Sequence, residues 1–295
     1  MLVFSSSNWF TVWLSLEMSL LGFIPLFNFS SLLETEGLIK YFMVQAMGSS
    51  VFLVGVVSAS SIIILAGFLL KLGMFPFFFW VPLVMASMTW LGCFVVSTIQ
   101  KLPGMLSLFS PLFTLKSGGD SLIILSASLS VISGSIMGLN QSDMRNVMAY
   151  SSISQSSHLV ICLYMSFTLF LIYTAVYFFI SGMTFYTFDQ GKFFKTKDVS
   201  SEEGFKINLL VLCLMGMPPL PIFYVKMFML LCLVSSSSGI MVSIIFLASM
   251  MISSFFYLYL VMSSGAKSTT KIMIKSNNRI MLLLFSVSII LVTQL

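Results

Sequence analysis

The fold class this sequence predicts is an all-α, polytopic membrane protein of about ten transmembrane helices, two of them broken, and three observations carry it. Mean hydropathy is +1.07. Only 8% of the residues are charged, against about 25% in a soluble globular domain. The apolar residues also fall into runs that reach the roughly 20 residues a membrane-crossing helix needs. In lipid each backbone polar group must be satisfied within the chain, so such runs read as helices. No polar stretch is long enough for a water-soluble domain, so 1–295 reads as a single transmembrane domain.

Taken in order, the spans are 9–28, apolar except for Glu17; 37–58; and 61–83, nearly abutting the second at SASS and containing Lys71 and Pro76. The fourth, 86–113, carries Lys101, Pro103 and Gly104. Loop residues then set off 121–139, the serine-rich 142–165 and 167–188. The polar segment DQGKFFKTKDVSSEEGFK, 189–206, reads as a solvated connector with a short surface helix. Beyond it lie 207–234, interrupted by Pro218, Pro219 and Pro221, then 239–262 and 279–295.

Charge orients this array. With ten spans, Lys40, Arg145, Lys192, Lys195, Lys197, Lys206, Lys267, Lys271, Lys275 and Arg279 share one face, and Lys116 alone lies on the other. Basic loops favour the side that is not translocated, so both termini belong on the lysine-poor side. The net charge of +5 therefore orients helices and does not point to nucleic acid. Neither a signal-peptide n-region nor an arginine-rich transit peptide precedes the first span. Cys93, Cys162, Cys213 and Cys232 stand singly in apolar runs, which suggests buried small side chains and neither disulfides nor metal sites.

Glu17, Lys71, Lys101 and Lys226 remain inside spans. A charge at mid-helix costs about 2.5–3.5 kcal/mol on insertion scales, and such residues are functional by default. Lys71 has about ten apolar residues on either side, too many to reach the interface by its stem alone. Three of the charges neighbour helix breakers: Pro76, which cannot donate to the Leu72 carbonyl; Pro103 with Gly104, just after Lys101; and Pro218, Pro219 and Pro221 ahead of Lys226. Each break frees backbone carbonyls at a depth where irregular backbone is tolerated only in protein or beside a wet cavity, so ammonium groups and water are the expected partners. Lysines suit proton exchange because burial disfavours their charged form and a nearby carboxylate restores it. One pKa unit is about 1.4 kcal/mol, comparable with about 2.3 kcal/mol for moving one charge through 100 mV. In the sixth span, AYSSISQSSHLV gathers Ser151, Ser154, Gln155 and His158, candidates for a hydrated proton path because imidazole titrates near neutrality. There is no GxGxxG, P-loop, HExxH or GxSxG, and no Cys or His cluster for haem or iron–sulfur. No cofactor is expected in this chain.

KYFMVQAMGSS, LLKLGMFPFFFWVP, STIQKLP, GLNQSDMRNVMAYSSIS and GMPPLPIFYVKMF, in this order, resemble the family of antiporter-like subunit 2 of NADH:ubiquinone oxidoreductase, respiratory complex I, in its mitochondrially encoded form, over about residues 6–262. The resemblance implies an inverted-repeat fold in a proton-pumping membrane arm of the inner mitochondrial membrane, with the Lys-rich loops toward the matrix. It implies that Glu17 pairs with Lys71, and that Lys101 and Lys226 are the central and terminal lysines of the proton path on the two broken helices. FMN, iron–sulfur clusters, NADH and ubiquinone would belong to the holoenzyme. Partners would be neighbouring antiporter-like subunits, small helical core subunits, accessory subunits and membrane lipids, cardiolipin among the candidates. Two departures stand out. The family commonly has PFHFW where this chain has Phe77-Phe78-Phe79-Trp80, and the family histidine after AYSSI is Gln155 here, with His158 one turn later. A helix that animal relatives carry ahead of the glutamate helix is expected to be absent. The rival readings are an Mrp-type cation/proton antiporter subunit and a scaffold whose charges only fasten helices.

Overall fold

The computed structural model describes residues 8–26, 31–108, 119–191, 201–218, 220–235 and 239–265. Among these residues the chain is helical, with no strand: α1 (Trp9–Phe23) and a 3-10 turn (Ile24–Leu26), α2 (Leu32–Val57), α3 (Ser61–Leu72), α4 (Trp80–Ser87), α5 (Trp90–Ser97), α6 (Lys101–Leu108), α7 (Gly119–Gly138), α8 (Met144–Met165), α9 (Phe167–Gly191), α10 (Ser201–Met215), α11 (Pro221–Ser235) and α12 (Gly239–Gly265). Among the described residues five stretches are long and apolar enough to cross a membrane: Leu32–Val57, Trp90–Leu108, Ser121–Gly138, Phe167–Gly191 and Gly239–Met262. The chain is a multi-pass membrane protein. The expected span 279–295 and residues 192–200 of the polar connector lie outside the described residues.

Several boundaries differ from the sequence expectation, each for a local reason. α2 begins at Leu32, not 37, because Ser31 caps it and accepts from the Glu34 N–H at 3.4 Å; Ser-x-x-Glu is a helix-start signature. The 61–83 span stops at Leu72 and resumes at Trp80, with a cis Phe75–Pro76 peptide between. In the fourth span the non-helical residues among those described are 88–89 and 98–100, the second group just ahead of Lys101. α6 then runs through Pro103 and Gly104, since a proline in the first helical turn lacks only an N–H that would be unpaired anyway. Pro221 likewise opens α11. The polar connector is shorter than 189–206, because α9 extends to Gly191 and α10 starts at Ser201.

α2 and α3 pack most extensively, and glycines make this close approach possible. A Cβ on Gly55 would stand 2.6 Å from the Ile64 nitrogen, and one on Gly67 2.9 Å from that of Phe52. α8 is the inner helix. It packs against α4, α5, α6, α7, α9 and α11, and every residue from Val147 to Leu163 is buried. Small residues are what membrane helices use at such crowded contacts. Meanwhile α12 turns Met241, Ile244, Met251, Phe255 and Met262 outward. The polar helix is inside and the apolar faces are outside, as a lipid solvent requires. Arg145, at the start of α8, closes the α4–α5 junction. It donates to the Ala86 carbonyl at 3.0 Å and lies over the Trp90 ring, 5.4 Å from its centre.

Candidate functional site: three buried lysines at helix ends

The first lysine site forms at the end of α3. Gly73 takes φ +65°, and Met74 and Gly73 return their N–H groups to the carbonyls of Leu69 (3.0 Å) and Leu70 (3.3 Å). This Schellman motif stops the helix one residue after Leu72. Side chains from elsewhere add donors to the last carbonyls of the helix. Trp80 Nε1 donates to Leu70 O at 3.0 Å, and Gln45 Nε2 donates to Lys71 O at 3.2 Å. The Lys71 side chain is 6% exposed and runs to Glu17 of α1, with Nζ 3.6 Å from Oε1. That separation gives an ion pair but is too long for a hydrogen bond. The stem passes over Gly48, where any Cβ would lie 2.8 Å from Lys71 Cγ. Beside the pair is a polar cavity of about 10 Å³, lined among others by Ser19, Gln45, Lys71 and Gln100. This is near the lower bound for holding one water. Gln100 donates Nε2 to Ser19 O at 3.1 Å, tying α1 to the 98–100 turn.

Lys101 follows that turn as the first residue of α6 and is 4% exposed. Its ammonium docks on α8, donating to the Ser152 carbonyl at 2.9 Å and to the Ser152 hydroxyl at 3.2 Å. That hydroxyl gives its own proton to Ala149 O at 2.8 Å, so it is free to accept. Ser151 and Ser154 are arranged alike, donating to Met148 O and Ser151 O at 2.8 Å each.

The third site repeats the first. α10 ends on Gly216 (φ +83°), with Gly216 N–H on Cys213 O at 3.1 Å and Met217 N–H on Leu212 O at 3.4 Å. The next helical donors for Leu214 O and Met215 O would be the nitrogens of residues 218 and 219. Both are prolines and have no N–H; Pro219 itself lies outside the described residues. Gln155 Nε2 takes the first carbonyl at 3.3 Å and Lys226 Nζ the second at 3.4 Å. Gln155 Oε1 accepts from the Tyr173 hydroxyl, and the Tyr257 hydroxyl lies beside Ser151 and Gln155. His158 places Nδ1 2.7 Å from Ser154 O.

Glu17 and Lys71 thus meet directly, while Lys101 and Lys226 each have a separate backbone seat. Sequence reasoning singled out the charges, the prolines and the serine stretch that includes Ser152 but missed Gln45, Gln100 and Trp80. The signal was present for two of them. Gln45 and Gln100 are amides inside apolar runs, subject to the same desolvation argument as a lysine at smaller magnitude. Among the described residues no group of three or more His, Cys, Asp or Glu could hold a metal.

Residues 56–253 match the family described as NADH:quinone oxidoreductase/Mrp antiporter, transmembrane. The chain is 31% identical over 250 residues to NADH-ubiquinone oxidoreductase chain 2 of Lumbricus terrestris, covering 79% of this chain and 74% of that one. It is 32% identical over 238 residues to the protein of that name from Anopheles gambiae, covering 73% and 68%. Among solved structures it superposes on a chain of respiratory complex I from Thermus thermophilus with a TM-score of 0.81 at 19% identity, covering 99% of this chain and 74% of that one. On a chain of the Mrp complex from a Dietzia species the TM-score is 0.70 at 12% identity, covering 78% and 51%. At these identities the structural likeness speaks for the fold.

Proposed function

Because this chain belongs to the NADH:quinone oxidoreductase/Mrp antiporter transmembrane family, we propose that it is a core membrane-arm subunit of respiratory complex I, moving protons across the inner mitochondrial membrane while other subunits pass electrons from NADH to ubiquinone. Redox chemistry stays with FMN and iron–sulfur clusters elsewhere in the assembly. Glu17, Lys71, Lys101 and Lys226 exchange the protons, and Ser151, Ser154, Gln155 and His158 line the path between the last two lysines. The fold is a single ten-span domain with inverted repeats and two broken helices, the fourth and eighth spans. Its Lys-rich loops face the matrix and its termini the intermembrane space. Neighbouring antiporter-like and small core subunits, accessory subunits and lipids such as cardiolipin surround it.

One observation carries the reading: three lysines, each no more than 7% exposed, sit at or opposite helix ends, and the first is ion-paired to Glu17. A static fastening would need only one such pair. The test is Lys101→Met in the intact assembly. Quinone-linked pumping should fall by about tenfold or more, at least 1.4 kcal/mol of barrier, with assembly unchanged. Normal pumping would sink the transport role and leave the scaffold. The likeness to the Mrp chain favours a second reading, a cation/proton antiporter subunit. Co-purification with FMN and iron–sulfur subunits decides between the two.

A further inference from the structure

The Met215 carbonyl seat of Lys226, at 3.4 Å, is long for a charge-assisted bond, and a second acceptor stands in the same group of helices. His158 Nδ1 faces the Ser154 carbonyl at 2.7 Å. A carbonyl can only accept, so Nδ1 carries the hydrogen, and in the neutral ring Nε2 keeps a bare lone pair. Nε2 is buried and has no hydrogen-bond partner, in a residue 3% exposed. The ring is held in place, edge-on to Phe246 of α12 at 5.1 Å and 89°, with Tyr173 of α9 6.4 Å away. Gln155, three residues before His158 on α8, holds the Leu214 carbonyl, and Lys226 of α11, which packs on α8, holds the next one, Met215 O. Buried acceptors without donors are rare and costly, and here a donor of the right charge is close by. The lysine stem passes Gly216, where a Cβ, if present, would stand in ordinary contact with Lys226 Cδ at 3.5 Å and Nζ at 3.7 Å.

Building on the proton-translocation reading, we propose that the Lys226 ammonium has two seats, the Met215 carbonyl and His158 Nε2, and that His158 is a positioning residue, a fixed acceptor that does not itself carry the proton. Moving to the second seat leaves Met215 O without a donor, since residue 219 has no N–H to offer. Gln155 keeps hold of Leu214 O throughout. The α10–α11 break therefore senses where Lys226 is docked. Protonating the ring would place an N–H where the ammonium must dock and close the seat.

Two variants in the intact assembly separate the roles. His158→Gln keeps an acceptor near the position of Nε2 but cannot carry a proton by titrating; His158→Leu removes the acceptor. At equal assembly, His158→Leu should pump about tenfold less than the native chain, and His158→Gln should restore several-fold of that loss. Equal loss in both would make His158 a proton carrier, and normal pumping in both would make the second seat irrelevant; either result overturns the proposal. Should His158→Leu fail to accumulate, His158→Phe keeps the ring shape without the acceptor. A structure of the assembly during turnover gives an independent answer. Nζ within hydrogen-bond distance of Nε2 in one state supports the second seat, and Nζ on Met215 alone in every state refutes it. If Lys226→Met itself pumps normally, the translocation reading has failed, not merely the seat.

Discussion

At the scale of single residues, the site depends on hydrogen-bond donors that the helices themselves cannot provide. Two glutamines inside the spans do this job, Gln45 and Gln155, which give Nε2 to the carbonyls of Lys71 and Leu214 at helix ends, while Gln100 adds a donor to Ser19 O within α1. A buried carbonyl left unpaired costs about 1–3 kcal/mol, which is reason enough for an amide to occupy a lipid-depth position. Glu17 and Lys71 differ, since each charge is tolerated at depth through the other. Glu17→Gln should destabilise the assembly by about 3 kcal/mol by leaving a buried ammonium unpaired. The double variant Glu17→Gln/Lys71→Met should cost less than the sum of the two single changes. Thermal denaturation of the purified assembly measures both, and additivity would mean that the 3.6 Å approach carries no coupling. The charges and amides were visible in the sequence. Their partners were not, because hydropathy reports that a polar group is buried without saying what it meets.

At the scale of elements, α3 and α10 end in the same way. Each closes on a left-handed glycine followed by methionine, Gly73-Met74 and Gly216-Met217, with proline within three residues. In each, the carbonyl two residues before the glycine takes a glutamine amide from another helix. Prolines mark where the helices stop, and the glycines make the stop geometrically possible. Replacing Pro218 and Pro219 with alanine supplies N–H groups for Leu214 O and Met215 O from within the helix. Gln155 and Lys226 then lose their seats. The variant should assemble with undiminished thermal stability and pump about tenfold less; unaltered pumping would show that the interruption is dispensable. The position of the fourth-span interruption was harder to read from sequence. Pro103 suggested a break after Lys101, whereas the non-helical residues next to Lys101 precede it, at 98–100, since a proline is harmless in the first turn of a helix that has just begun.

At the scale of the whole molecule, an inner helix rich in serine is sheathed by apolar ones. α8 is as long as a bilayer is thick, 22 residues at about 1.5 Å each, yet it does not count among the five apolar crossings. Its burial rests on packing, not on its own hydropathy. The charge asymmetry adds an orientation that can be checked. A cysteine placed at Lys195 should react with a membrane-impermeant maleimide only from the matrix side of inverted inner-membrane vesicles, and labelling from the other side would reverse the topology. The sequence alone determined that this is a multi-pass helical membrane protein, which charges lie within apolar runs, and that residues 218 and 219 have no N–H to give. These are local, covalent properties: the hydropathy of a run, and a proline without an N–H. Only the tertiary structure decided that Lys101 docks on Ser152, 51 residues away, that Gln155 serves Leu214, 59 residues away, and that His158 is buried with Nε2 lacking a partner among the described residues. Those pairings depend on which helices lie side by side and in what rotation, and helix packing settles that for all of them together.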